Sequence, residues 1–184
     1  MKYSVDELNL KEDNILYNGG GDFYLLAPLN IRDKLNKIKK YISNILLDSH
    51  QGDLYLALDY ISFSPFEFNN FTKLWQDVKS KVNEIKQNKW NEIGLKKNFG
   101  KVFGPIDHGS KENNHCNICS VSEDTRTLKK NDYNKTICEL CNSFIRLTED
   151  LKEAEYLNFK KGSPEKRYLH SYNDIFNSFG YNIK

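Results

Sequence analysis

The sequence predicts an α+β fold in which a glycine-turned β-hairpin is followed by helix, strand and helix, then by a small helical part stapled by cysteines. Three observations carry this. Two short apolar runs flank Gly19-Gly20-Gly21-Asp22, later stretches repeat apolar residues at helical spacing, and four cysteines in two close pairs all lie beyond Phe103-Gly104-Pro105. That shift in composition divides the chain into an α+β part, 1–102, and a metal-stapled part, 103–184. A chain of 184 residues holds one ordinary domain, or one domain with such an appendage, and 39% hydrophobic residues supply a core.

The elements follow in order. Met1 to Leu10 has only Val5, Leu8 and Leu10 as apolar positions and reads as the tail of a helix. Asn14-Ile15-Leu16-Tyr17 and Phe23-Tyr24-Leu25-Leu26-Ala27 are strand-like, and the glycines between them make a hairpin the natural reading; Pro28 closes the second strand. Ile31, Leu35, Ile38, Ile42, Ile45 and Leu46 then recur at helical spacing behind Asn30 as N-cap, so this helix covers one face of a sheet. After Gln51-Gly52-Asp53, the run Leu54 to Ile61 has the Tyr, Leu and Ile content of a third strand. A second helix places Phe71, Leu74, Trp75, Val78, Val82 and Ile85 inward.

Charge is informative only locally. The 27 Lys and Arg against 25 Asp and Glu imply no nucleic-acid or membrane partner, but residues 79–101 hold seven Lys against two Glu. Lys79, Lys81, Lys86, Lys89, Lys96, Lys97 and Lys101 offer weak nonspecific contact to phosphates, with Trp90 and Phe99 available to stack on bases; a solvated helix face is the preferred reading. The run contains no arginine, which argues against base-specific readout. No stretch reaches the roughly 18 apolar residues of a membrane span, and the amino terminus lacks an apolar signal core, which points to the cytoplasm and to no membrane partner.

In a reducing compartment, Cys116-x-x-Cys119 and Cys138-x-x-Cys141 read as zinc ligands. Each pair offers two thiolates about 2.3 Å from a shared ion, and two pairs close a tetrahedron, the structural rather than the catalytic form. A redox pair and a disulfide pair are the rival readings. His115 flanks the first pair and is not needed as a ligand. Residues 142–151 continue with helical spacing, which sets Cys138 and Cys141 at a helix N-terminus, where the dipole favours thiolate. His50, His108 and His170 are separated from one another and read as surface or loop residues.

The glycine triplet permits positive φ and a turn surface free of Cβ atoms, as an ordinary hairpin or as a place where a flat or phosphate-bearing ligand meets the backbone. The longer string Tyr17-Asn18-Gly19-Gly20-Gly21-Asp22-Phe23-Tyr24 resembles the GGDEF/GGDD hairpin of nucleotide cyclases and palm polymerases. Gly21 stands where the first metal-binding Asp of that hairpin would be, and Asp22 alone remains. One carboxylate cannot clamp two Mg²⁺ ions, so the hairpin is expected not to catalyse; Asp53 and Asp59, near or on the third strand, could approach the turn, but strand charges usually face water.

The hairpin, Asp53-Leu54-Tyr55-Leu56-Ala57-Leu58, Lys73-Leu74-Trp75, Phe103-Gly104-Pro105 and the two CxxC pairs together resemble, from Asn14 through Tyr156, the large subunit of type III-A CRISPR (Csm) effector complexes. Leu147 to Tyr156 looks like the segment that follows the zinc module there. The resemblance implies an incomplete ferredoxin-like palm, lacking the opening strand and most of the first helix, followed by a zinc insertion. It implies that Gly19, Gly20, Gly21 and Asp22 form half of an ATP pocket. The partners implied are a second palm bearing an intact GGDD, in the same parent or a separate chain, together with other Csm subunits and guide RNA. Synthesis of cyclic oligoadenylates with Mg²⁺ and cleavage of single-stranded DNA are implied for a complete parent. Two alternatives from other classes are a free-standing degenerate cyclase-like nucleotide sensor and a zinc-ribbon nucleic-acid binder.

Overall fold

The protein is described from a computed structural model, covering residues 1–104, 115–122, 126–130, 134–165 and 169–183. Pro105 of the sequence boundary and His108 lie outside the described residues. The chain is mixed α/β and divides into two compact units, Met1–Val102 and Phe103–Lys184.

In the first unit, α1 (Lys2–Glu7) packs on α2 (Arg32–His50) with Tyr3 stacked on Tyr41, ring centroids 5.6 Å apart. Between them, β1 (Ile15–Gly19) and β2 (Asp22–Leu25) form an antiparallel hairpin. The turn is Gly20-Gly21, with φ of +60° and +85°. Two successive positive φ values match the right-handed twist of the flanking strands, and glycine accepts them without a Cβ clash.

The α2 stripe behaves as its spacing predicts: Leu35, Ile38, Ile42, Ile45 and Leu46 are buried. Its start differs. Asn30 lies within a 3₁₀ turn, Leu29–Ile31, and Ile31 occupies the cap position with no side-chain cap bond. A short core forms where Leu47 meets Trp90 and Ile93, with Tyr55 edge-on to the indole at 4.8 Å. Trp90 is 5% exposed and sits at φ +70°. Trp90, offered in the sequence as available for stacking on bases, is neither that nor part of a solvated face: its ring holds the 3₁₀ turn Asn91–Ile93 against α2.

The third strand is a second correction. Leu54–Ile61 pairs with no other strand among the described residues, and the only sheet of this unit has two strands, β1 and β2. A strand is defined by its ladder, and residue types alone do not supply one. Helix α3 (Phe71–Gln87) begins at Asn70, whose Oδ1 accepts from the Lys73 N–H at 3.3 Å. Its expected inner face is only half-buried, and Phe71 is exposed. Helix α4 (Leu95–Phe103) is kinked at Asn98.

The second unit, expected as a small helical part and a following segment, holds strands as well as helices. It contains two antiparallel pairs, β3 (Leu128–Lys130) with β4 (Thr136–Cys138), and β5 (Phe159–Lys161) with β6 (Tyr181–Ile183), besides α5 (Glu139–Glu153) and α6 (Tyr172–Ser178). Strands of three residues are too short to show a period in sequence. β4 runs directly into α5, so one short stretch supplies both the pairing and the helix cap.

Candidate metal centre and glycine-rich hairpin

The second unit builds its cysteine cluster from two local structures. Cys116 and Cys119 lie on a turn closed by Ser120 N–H donating to the Cys116 carbonyl at 2.9 Å and fixed by the His115–Ser122 bridge. Cys138 ends β4 and caps α5, its Sγ accepting from the Cys141 N–H at 3.4 Å, while the Cys138 N–H points to Cys116 Sγ at 3.3 Å. The turn and the helix cap thus aim their sulfurs at one point. All four sulfurs lie within 4.8 Å of one another, and Cys119 and Cys138 are 3.7 Å apart. Four sulfurs about 2.3 Å from one zinc stand about 3.8 Å apart, so the cluster fits a tetrahedral ion.

Electrostatics make the cluster one that could hold a cation. Burial pushes the Cys116 thiol up, but N–H groups of Cys119, Cys138 and Ile118 outweigh it and hold Cys116 down at about 7. Burial first, then the neighbouring sulfurs Cys116 and Cys138, raise Cys119 to about 11. Cys141 is also raised, by burial and then by Cys119 and Cys138. Without a cation, neighbouring sulfurs hold Cys119 and Cys141 up; a divalent ion at the centre would favour the thiolate instead. His115 is not in the group, and among the described residues no other His, Cys, Asp or Glu set gathers this way. Cys116, Cys138 and the adjoining Leu140 are buried, while Cys119 and Cys141 are half-buried, so protein covers one side of the cluster.

The hairpin offers something different. The position a Cβ would take on Gly21 has no heavy atom within 4 Å, and above Gly20 only the Tyr17 hydroxyl comes that near, at 3.9 Å. The turn therefore presents bare, unobstructed backbone. Asp22 beside it is exposed. Asp53 and Asp59 do not join it in a metal-holding group: Asp59 accepts from the Tyr60 N–H at 2.9 Å and pairs with Lys39 at 3.5 Å. From below, Trp75 of α3 carries the hairpin, with Tyr24 stacked on it at 3.9 Å and Tyr17 edge-on at 6.1 Å. Burial, then Asp22 and Tyr17, raise the Tyr24 pKa, keeping this phenol neutral beside the carboxylate.

Three of the seven lysines of the basic run are engaged. Lys79 lies over the Trp75 ring, Lys81 lies over Tyr60 and donates to its carbonyl at 3.2 Å, and Lys101 pairs with Asp48. Phe99 remains 62% exposed. His50 ends α2, and His170 pairs with Glu139 at the start of α5. Sequence reading missed Glu92, which accepts from Ser43 and, at 3.4 Å, from the Tyr55 hydroxyl, tying α2 and Tyr55 to the turn after Trp90. No local signal marks it, because its partners are 49 and 37 positions away.

Residues 1–105 match the family model of the Csm1 subunit domain B. The chain belongs to that family. The matched residues contain the whole hairpin, α2 and α3, and stop before the cysteines. Three curated relatives extend the similarity past residue 105, each described as a CRISPR system single-strand-specific deoxyribonuclease Cas10/Csm1 of subtype III-A. The protein of Methanocaldococcus jannaschii is 30% identical over 89% of this chain and 22% of its own length. That of Enterococcus italicus is 27% identical over 90% of this chain and 22% of its own. The Thermococcus onnurineus protein is 26% identical over 80% and 19%. The chain thus spans about a fifth of the length of the relatives it matches. Its resemblance to the large subunit of type III-A Csm effectors is accordingly shown by the family match and by these relatives. Among the described residues, no helix is long and apolar enough to cross a membrane.

Proposed function

We propose that this chain acts in CRISPR type III-A defence as the non-catalytic palm half of a Csm large subunit, in the cytoplasm, with a structural zinc module attached. The observation that carries the reading is the hairpin itself: a two-glycine turn of positive φ, open above Gly21, with Asp22 exposed and in no metal-holding group of three or more side chains among the described residues. Bare backbone admits the phosphates or base of ATP at short range, whereas Mg²⁺-assisted phosphoryl transfer requires several convergent oxygens on each ion. In this reading Gly19, Gly20 and Gly21 line half of an ATP pocket and Asp22 gives it a polar contact. The catalytic carboxylates and their Mg²⁺ come from a second palm, on the same parent or on a separate chain.

Cys116, Cys119, Cys138 and Cys141 hold Zn²⁺ in this proposal. The ion would neutralise the mutual repulsion of the thiolates and fold a unit whose strands are only three residues long. Other Csm subunits and guide RNA are the proposed neighbours, by analogy with the relatives' family. The test mixes the 184-residue chain with a GGDD-bearing second palm and measures ATP binding by calorimetry. We expect the mixture to bind ATP more tightly than either part, and a Gly21→Val substitution to remove the gain. Failure of the two parts to associate, or Mg²⁺-dependent ATP turnover by this chain alone, would overturn the reading.

A further inference from the structure

The second unit contains a groove with a charged rim and an aliphatic floor. Its cavity, of about 540 Å³, lies between three short structures. α5 contributes Asn142, Ile145, Arg146 and Glu149, which stand at i, i+3, i+4 and i+7 and so form one stripe of the helix. The β3–β4 hairpin contributes Lys129 and Ile137, which are opposite each other in the ladder and share a face, together with Lys130 and Lys135. The turn between Cys116 and Cys119 supplies Asn117 and Ile118, and is docked on β4 by the Asn117 N–H donating to the Thr136 carbonyl at 2.8 Å. Because β4 runs straight into α5, adjoining backbone holds all three walls in place.

Two features of this groove are unbalanced. The first is charge: three lysines and an arginine face a single carboxylate, that of Glu149. Among the described residues Lys129, Lys130 and Arg146 enter no ion pair, whereas Lys39 and Lys101 of the first unit reach Asp59 and Asp48. Like charges gathered on a concave surface focus its potential and draw a counter-charge. The second is apolar surface. Ile118 is 58% exposed and Ile145 36%, beside the buried Ile137, and covering such side chains is favourable.

We propose that the groove seats an acidic amphipathic helix of a partner protein, with its aliphatic stripe on Ile118, Ile137 and Ile145 and its carboxylates against Lys129, Lys130 and Arg146. The α5 stripe from Asn142 to Glu149 is about 10 Å long at about 1.5 Å per residue, so the occupant lies along roughly two helical turns. A helix presenting aliphatic side chains at i, i+3, i+4 and i+7 has that length of contact and buries its apolar face in a groove. Nucleic acid satisfies only half of the surface. Its phosphates would meet the rim, but none of the lining side chains is aromatic and able to stack on a base, and the isoleucines would be left against a charged backbone. The inference concerns the second unit alone and does not depend on ATP binding at the glycine turn.

The probe is a fluorescein-labelled helical peptide of about 14 residues, with leucine at i, i+3, i+4 and i+7 and glutamate on both sides of that stripe. Its binding to the 184-residue chain is read by fluorescence anisotropy. Saturable binding is expected, weakened roughly tenfold or more when the glutamates become glutamine, and likewise when the leucines become serine, because charge and apolar contact act together. The double variant Lys130→Glu, Arg146→Glu, with its thermal unfolding unchanged, is expected to lose the acidic probe roughly tenfold or more and to accept a lysine-flanked version that the original chain rejects. Ile145→Ser lowers affinity by roughly tenfold without altering charge. No saturable binding of the acidic probe, equal binding of its serine version, or refusal of the lysine probe by the folded double variant would each overturn the inference. So would a single-stranded oligonucleotide that binds more tightly than the peptide and displaces it, which would assign the groove to nucleic acid. Self-association of the chain that Ile145→Ser abolishes would also overturn it and assign the groove to a second copy.

Discussion

Replacing Trp90 by alanine distinguishes a core residue from a base-stacking one. The indole is 5% exposed and packs against Leu47, Ile93 and the Tyr55 ring. Truncating a buried Trp to Ala costs about 3–5 kcal/mol, from lost transfer energy and the cavity left behind. The first unit has residues 1–102, and a domain of that size has a total stability of about 5–15 kcal/mol, so the loss is a large share of it. With a urea slope of about 2 kcal/mol per M, a loss of about 4 kcal/mol moves the unfolding midpoint down by about 2 M. The assay is convenient: the chain has two tryptophans, and with Trp90 gone, Trp75 alone reports unfolding of this unit. Trp90→Gly is the control, because the residue sits at φ +70° and glycine removes about 1–2 kcal/mol of left-handed strain that alanine retains. We expect Trp90→Gly to be no less stable than Trp90→Ala. A midpoint that hardly moves, together with weaker binding of a single-stranded oligonucleotide, would refute the core assignment and restore base stacking.

Three further outcomes are expected. The purified chain binds about one Zn²⁺, and a strong chelator unfolds the second unit while Trp75 fluorescence of the first is unchanged. Because Cys119 and Cys141 titrate above neutrality, zinc binding releases protons and the apparent affinity falls as pH is lowered, which calorimetry in buffers of different ionisation enthalpy measures. In the hairpin, Gly20→Ala and Gly21→Ala each cost about 1–2 kcal/mol from positive φ alone, since neither new methyl meets an obstacle closer than 3.9 Å, whereas Asn at either position costs less; urea titration ranks the three. Finally, burial, followed by Glu92, raises the Tyr55 pKa above its ordinary 10, so its contribution to stability is complete below pH 10 and is lost as the pH climbs through the raised value. Tyr55→Phe is expected to flatten that alkaline decline in the denaturation midpoint.

The two kinds of site differ in how much of them was readable beforehand. The glycine hairpin and the α2 stripe are local objects: two positive-φ residues between short apolar runs, and a 3.6-residue period, leave their pattern in adjacent positions. The cysteine cluster is nearly local too, because each CxxC pair is a four-residue pattern that sets two thiols side by side whatever lies between the pairs. The misread elements have non-local causes. Leu54–Ile61 has the composition of a strand, but a ladder requires a neighbour and that run has none among the described residues. Trp90 belongs to a basic stretch in sequence, yet Leu47 and Tyr55, 43 and 35 positions earlier, bury it.

By itself, then, the amino-acid order determined the hairpin and its turn, the buried face of α2, the grouping of four thiols, the poverty of carboxylates at the glycines and the family resemblance. Tertiary structure decided which aromatic rings are core and which lie open, that Glu92 knots Ser43 and Tyr55 together, and that the Ser4 hydroxyl is buried without a partner. The physical reason is range. Turn geometry, helical period and ligand spacing are set within a few residues along the backbone, whereas burial and strand pairing depend on groups that only folding brings together.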